Sequence, residues 1–224
     1  MAQFTLYSHR GPGPNPLKVA IVLEKLGLSY EVVALDFGDD HEKGVKGKFL
    51  QLNPNGRVPA LVDHQQNDFV VWESGAILFY LAAQYDKQGK FFGKDVQEQT
   101  ITMQWLTHQL SGLGPVQGNV NFLHHYWKGA YGEEPQKSAF TRFEGETHRL
   151  YKILDDQLAR QSSRGSQYIA LDRPTIADYS FYAWVNIASF GKVDISPYTH
   201  VVKWLETINA DPQIKAADDK LPKS

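Results

Sequence analysis

Two adjacent residues, Glu73 and Ser74, stand where an apolar return strand gives way to a helical stretch, and their types suit one kind of ligand. A serine at a helix start offers its hydroxyl to the first-turn N–H groups, which have no partner within the helix. Such a start attracts an anion. An acid just before it can pair with a cation arriving beside that anion. Glu73-Ser74 therefore suits a zwitterionic α-amino acid group, carboxylate on the helix end and ammonium on Glu73. Val58, next to Pro59, offers its own N–H and C=O to an extended peptide if that edge is open. The plainer alternative makes Ser74 only a cap and Pro59 only a turn residue. His124-His125 has the composition of a metal pair, but adjacent helical residues diverge and no third ligand is evident, so no metal is expected.

The elements that must position these residues follow from pattern. The stretch Asn53–Tyr85 reads as a strand over Val58–Val62, a polar hairpin, a strand over Phe69–Trp72 and a helix opened by Ser74. Proline has no N–H, so Pro59 belongs at a strand start, an edge or a turn. Upstream, Phe4–Tyr7 is a β-leaning run, and the Gly/Pro-rich SHRGPGP is a loop. Asn15 as N-cap and Pro16 at N1 open a helix. Val19, Val22, Leu23 and Leu26 form its buried face, and Gly27 closes it. Tyr30–Leu35 is a strand, and Asp36–Lys48, with His41, is a charged surface loop or short helix. The order β-α-β-loop-β-β-α predicts a thioredoxin-like domain over residues 1–86.

Residues 87–93, KQGKFFG, read as a linker, and strand signals stop after them. Residues 94–224 read as an all-helical domain. A helix over Val96–Leu110, with Ile101 and Trp105 on one face, is bent or broken by Gly112, Gly114 and Pro115. Val116–Lys128 carries the aromatic run FLHHYW. A long helix follows from about 135 to 159, with Phe140, Phe143, Leu150, Leu154 and Leu158 inward. Thr175-Ile-Ala-Asp178 is a capping-box variant opening Ile176–Phe190. Pro197–Asn209 is amphipathic.

Composition bounds the function. The 224 residues are 42% hydrophobic and 21% charged, ordinary for a soluble globular protein of up to two domains. A formal net charge of -2 gives no reason to expect nucleic acid or an anionic membrane as partner. No apolar run approaches a membrane span, and the N-terminal residues enter a strand pattern without a signal-peptide core, so a cytoplasmic location is expected. There is no cysteine, which excludes disulfides, thiolate metal sites and a redox thiol carried by this chain.

The segments SHRGPGPNPLKVAIVLEKLGLSYE, NPNGRVPALVD, WESGAIL and TIADYSF together resemble the glutathione transferase superfamily across essentially the whole chain. Within it they are most similar to the fungal nitrogen-catabolite-regulator-like class and the bacterial Nu-class enzymes. The resemblance implies glutathione as co-substrate, no metal, and a homodimer with the helix after Glu73 near its axis. It implies that Asn15 faces the glutathione sulfur and is the catalytic residue. His41, Arg57, Val58, Glu73 and Ser74 complete the glutathione site, with V-P as a cis-proline turn pairing with the cysteinyl backbone. Phe122, Tyr126 and Trp127, with Ser8 after the first strand, are expected to wall a second-substrate pocket. Tyr7 and Ser8 are the rivals for Asn15, since tyrosine and serine serve other classes. The serine or cysteine position of those classes falls on Gly13. The reactions implied are disulfide reduction (a glutathione-dependent disulfide-bond oxidoreductase), peroxide reduction or conjugation to a small electrophile. The alternative is a non-catalytic glutathione-binding or regulatory module.

Overall fold

The computed structural model describes residues 2–11, 13–38, 40 and 43–223, and the chain divides into two compact units, Met1–Phe92 with Asn209–Ser224, and Gly93–Ile208. In the first, β1 (Phe4–His9) runs parallel to β2 (Tyr30–Leu35) and antiparallel to β3 (Ala60–Asp63). β4 (Phe69–Trp72) pairs antiparallel with β3, giving the order β2-β1-β3-β4 expected of a thioredoxin-like sheet. Burial alternates along β1: Phe4, Leu6 and Ser8 are buried, whereas Thr5, Tyr7 and His9 are half-exposed on the opposite face.

The helix α1 (Pro14–Leu26) buries every residue from Pro16 to Leu23, Lys18 included, rather than the single stripe that periodicity suggests. Burial on all sides requires a second cover. α9 (Pro212–Lys220), unread in the sequence, returns to this unit and supplies it. Lys25 pairs with Asp211 at 2.5 Å, Gln213 donates to the Glu24 carbonyl at 2.8 Å, and Lys220 reaches Glu24 at 2.6 Å. Gly27 ends α1 at φ 68°, in the left-handed region where a Cβ is penalised, with its N–H on the Glu24 carbonyl.

The segment after β2 is less superficial than expected. Asp36 bridges Gly44, and Val45 and Phe49 are buried with Leu35 and Ala60. α2 (Ser74–Tyr85) follows β4. Beyond it, the Asp86 carboxylate accepts from the N–H groups of Lys90 and Phe91 at 2.9 and 2.6 Å. It folds residues 86–92 into a turn whose Phe92 meets Phe79 edge-on.

In the second unit, α3 (Val96–His108) continues through a π-helical turn, Gln109–Leu113, into α4 (Gly114–His125). The break anticipated at Gly112–Pro115 is thus a change of pitch. Pro115 cannot donate to the carbonyl four residues back, and the wider turn absorbs the missing bond. On α3 the buried residues are Thr102 and Leu106, while Ile101 faces outward at 41% exposure. α5 (Trp127–Tyr131) is short, and α6 (Lys137–Ser163) buries Leu150, Leu154 and Leu158, with Phe140 and Phe143 half-buried. α7 (Ile176–Val185) is buried throughout and stops before a 3-10 turn, Ala188–Gly191. α8 (Thr199–Asn209) starts on Asp155, whose Oδ1 accepts from the N–H groups of His200 and Val201 at 2.8 and 3.1 Å.

The sequence-read capping box is present at α7. Asp178, fully buried, accepts from the Thr175 N–H and hydroxyl, the Ile169 N–H and the Trp204 indole, all within 2.9–3.1 Å. Burial pushes its carboxyl up from the ordinary range, against the pull of those four donors. Among the described residues no helix is long and apolar enough to cross a membrane.

Candidate glutathione-binding site

The register of the first unit brings the predicted residues to one end of the sheet. Tyr7 pairs with Ala60 and Ala60 with Trp72, forming a row across three strands. From that row β1 runs on through Ser8 and His9 toward Asn15, Val58-Pro59 enters β3, and Glu73-Ser74 leaves β4. Asn15, Val58, Glu73 and Ser74 therefore share an end of the sheet although they are up to 59 positions apart in sequence. His41 lies outside the described residues.

Each local conformation has a physical origin, and three differ from expectation. β3 begins at Ala60, not Val58, because Pro59 has no N–H to pair. The Val58–Pro59 peptide is cis, and Val58 is half-buried against Phe49 and its neighbours. Asn53, only 2% exposed, fastens the turn before it: its amide donates to the Arg57 carbonyl at 2.6 Å and its oxygen accepts from the Asn55 N–H at 2.9 Å. The Arg57 side chain is exposed beside this turn. Asn53 was legible only as a turn residue; its burial is what marks it as support for the Val58 edge.

Ser74 is not the N-cap of α2. Glu73 takes that position at φ 70°, and Ser74 is the first helical residue, 5% exposed. The left-handed backbone turns β4 directly into the helix, which starts one residue earlier than a serine cap at Ser74 would have it. Ser74, Gly75 and Ala76 thus present the first-turn N–H groups, with Ile77 the first to bond back, to the Glu73 carbonyl. Asn15 is likewise not a cap. Gly13 holds that position, Pro14 is N1 and Asn15 follows it. Pro14 and Pro16 lack N–H groups, and Leu17 already bonds Gly13, so the donors this first turn carries are the N–H and side-chain amide of Asn15. Neither Gly13 nor Glu73 caps its helix through a side chain.

Lys18 is a residue that sequence reasoning passed over as one polar position in a buried stripe. It lies three residues beyond Asn15, with no exposed surface. Burial pushes its ammonium down to about 7, and the charge of Glu73 resists that fall.

The rivals for Asn15 are placed differently. Tyr7 packs against Phe49 at 5.5 Å, and burial holds its phenol above the ordinary value. Ser8 is 1% exposed and donates to the His9 carbonyl at 3.3 Å. On α2, Tyr80 and Tyr85 turn inward, both donating to the buried Asp63 carboxylate.

In the second unit, Phe122 stands at the centre of an aromatic group, 6.2 Å from each of Tyr126, Trp127 and Tyr131. Tyr126 and Tyr131 are exposed, while Phe122 and Trp127 are half-buried. The adjacent histidines diverge. His125 stacks on Phe190 at 4.1 Å, and His124 pairs with Glu144 at 3.4 Å. Among the described residues no group of three His, Cys, Asp or Glu could hold a metal ion.

Comparison with known proteins agrees with this architecture. The family model of the glutathione S-transferase N-terminal domain matches residues 2–83, and that of the C-terminal domain matches residues 120–217. The chain is 39% identical to glutathione S-transferase 2 of Schizosaccharomyces pombe, with 100% of this chain and 98% of that protein covered. It is 34% identical to the disulfide-bond oxidoreductase YfcG of Escherichia coli, over 90% of this chain and 88% of that one. Among solved structures, the glutathione transferase URE2P6 of Phanerochaete chrysosporium, in complex with oxidized glutathione, superposes with a TM-score of 0.85 at 36% identity, covering 98% of this chain and 96% of that one. With a four-stranded thioredoxin-like unit, a helical unit carrying a buried capping box at α7, and both family models matched, this chain belongs to the glutathione S-transferase family.

Proposed function

We propose that this chain binds glutathione at the sheet end carrying Asn15, Val58, Glu73 and Ser74, and uses the bound thiolate to reduce disulfides. The observation that carries the reading is the convergence there of two helix starts with a strand-entry edge. The N–H groups of Ser74, Gly75 and Ala76 suit the α-carboxylate of the γ-glutamyl residue, and Glu73 suits its ammonium. The backbone of Val58 suits the cysteinyl peptide, with Arg57 and His41 completing the contacts. Asn15 at the start of α1 donates to the sulfur, and the partial positive charge of that helix end favours the thiolate.

This chain has no cysteine, so the nucleophile is the glutathione sulfur itself. It attacks one sulfur of the substrate disulfide, forming a mixed disulfide and expelling the other sulfur as a thiolate, which takes up a proton. A second glutathione thiolate attacks the mixed disulfide, releasing oxidised glutathione and the second thiol. Disulfide reduction is preferred over conjugation on the strength of two of the three named relatives: one is a disulfide-bond oxidoreductase, and another was solved with oxidized glutathione. The aromatic group around Phe122 is the proposed apolar surface for the second substrate. A two-fold homodimer belongs to this reading, supported by the half-exposed Phe69, Trp72 and Phe79 on β4 and α2.

The test compares turnover of glutathione with hydroxyethyl disulfide and with a chlorodinitrobenzene, beside calorimetric glutathione binding. Faster disulfide turnover is expected. Glutathione binding with neither turnover would make the chain a non-catalytic binder.

A further inference from the structure

At the opposite end of β1 a second polar cluster surrounds a pocket of about 460 Å³, lined by Gln3, Thr5, Glu31, His64, Gln65 and Asp68 among others. Thr5 sits on the half-exposed face of the sheet, in register with Glu31 of β2 and Val62 of β3. His64 follows β3 directly, and its N–H donates to the Gln3 carbonyl at 3.0 Å, so its backbone is held in the ladder. The hairpin then turns through Asn67 and Asp68, both at φ 55°. That left-handed pair, uncommon for non-glycine residues, returns the Asp68 carboxylate to the imidazole four residues back.

The side chains form a chain of hydrogen bonds. Thr5 Oγ1 lies 2.8 Å from His64 Nε2, and His64 Nδ1 lies 2.5 Å from Asp68 Oδ1. An ionised carboxylate only accepts, so Nδ1 carries the proton of the neutral ring. Nε2 is then an acceptor and the Thr5 hydroxyl its donor. Hydroxyl, imidazole and carboxylate in that order are a nucleophile, its general base and the group that orients the base. The imidazole is 41% exposed, open to the pocket's contents.

We propose that Thr5, His64 and Asp68 form an acyl-transfer site, separate from the glutathione site, that takes uncharged esters with good leaving groups. Thr5 Oγ1 bonds to the ester carbonyl carbon as its proton passes to His64 Nε2. The carbon–oxygen bond to the leaving group breaks, and His64 returns the proton to the departing oxygen. Water, deprotonated in turn by His64, then adds to the acyl-threonine carbonyl, frees the carboxylic acid and restores the hydroxyl. The Gln65 side-chain amide and the Ser29 hydroxyl are the neutral donors in the lining, a weaker oxyanion device than paired backbone N–H groups. This restricts the site to esters whose leaving group departs readily. Glu31 and Asp68 put carboxylates on the same pocket and disfavour anionic acyl donors such as acyl phosphates.

The test treats the full chain with p-nitrophenyl acetate in the absence of glutathione, following nitrophenolate release and locating the acetyl group by peptide mass spectrometry. One acetyl group on Thr5 is expected. Release should fall roughly 100-fold or more in Thr5→Val and His64→Gln, the lower part of a general base's range, with a smaller loss in Asp68→Asn. Melting temperature checks that each variant is folded. Thr5→Ser, which keeps the hydroxyl and removes the methyl beside it, should react at least as fast as the parent. Acetyl found only on other residues, release unchanged in folded Thr5→Val, or a collapse of rate in folded Thr5→Ser would overturn the proposal. None of these outcomes bears on glutathione binding, so this site and the glutathione site stand or fall separately.

Discussion

Replacing Asn15 by alanine separates catalysis from folding in a way the structure makes unusually clean. Asn15 is the second residue of α1, and the cap position falls to Gly13, which has no side chain. Alanine there removes no cap and is a better helix former, so stability should stay within about 0.5 kcal/mol of the parent. Pro14 and Pro16 fix the backbone on both sides and contribute no N–H. The group lost is therefore the side-chain amide proposed to face the glutathione sulfur. A hydrogen bond to a charged acceptor is worth about 1.5–3 kcal/mol, which at 1.36 kcal/mol per decade is roughly 10- to 100-fold in turnover at neutral pH. Because the thiolate is the state that loses support, the thiol's apparent pKa rises. The rate limb moves to higher pH, and the two enzymes converge in alkali. Asn15→Asp keeps the shape and sets a negative charge against the thiolate, so it should be as slow or slower. The assay is the pH–rate profile of disulfide turnover for Asn15→Ala beside Ser8→Ala and Tyr7→Phe. An unmoved profile for Asn15→Ala, with a shift in either comparator, would transfer the thiolate-stabilising role to that residue.

Three further outcomes follow from particular contacts. Ser74→Ala removes no helix cap, so its melting temperature should hold, while glutathione affinity measured by calorimetry weakens roughly 10- to 100-fold, the worth of a hydrogen bond to a carboxylate; a lower melting temperature with unchanged affinity would restore Ser74 to a purely structural role. Asp178→Ala orphans four donors, Thr175 N–H and hydroxyl, Ile169 N–H and the Trp204 indole, at about 1–3 kcal/mol for each left unsatisfied. Urea unfolding should show a loss of at least about 4 kcal/mol, against less than half that for Trp204→Phe. Lys18 has an ordinary value of 10.5 outside the fold and about 7 within it, so the folded chain binds fewer protons than the unfolded one between those values, and stability rises with pH across that window. Lys18→Met should lose that rise, so its stability relative to the parent declines between pH 7 and pH 10.5 by on the order of 5 kcal/mol at most; a relative stability that does not change with pH would refute the depressed Lys18 value.

Much of the fold was legible because local signals and tertiary demands coincided. Tyr30–Leu35 and Phe69–Trp72 have the bounds their β-rich composition gives, and the Thr175–Asp178 box opens the helix it predicts. What escaped the sequence depends on partners far along the chain. The helix Pro212–Lys220 is short and polar, with only Ile214 and Ala217 buried, and is secured by pairing with Glu24 and Lys25 nearly 190 residues earlier. The Lys18 position reads as polar, yet it lies inside α1's buried run because α1 is covered on every side. Tyr80 and Tyr85 look like surface aromatics until Asp63, buried at the end of β3, supplies their acceptor.

The two misread residues of the glutathione site share a cause. Asn15 and Ser74 were both taken for N-caps on sound grounds, since asparagine and serine are favoured there. Three other helices obey that rule: Asp95 caps α3 and Asp211 caps α9 with their side chains, and Thr175 with Asp178 opens α7. At α1 and α2 the cap positions fall instead to Gly13 and Glu73, neither of which bonds the first turn through its side chain. Both helices start at the same end of the sheet, the end to which Val58 also leads. At α2 the N–H groups of Ser74, Gly75 and Ala76 precede the first bond back along the helix, and on the proposed reading the glutathione carboxylate meets them. At α1 Pro14 and Pro16 bring no N–H to the first turn, and on the same reading the glutathione sulfur takes its hydrogen bond from Asn15. The proposed ligand site then accounts for the departure of both helix starts from the local capping preference.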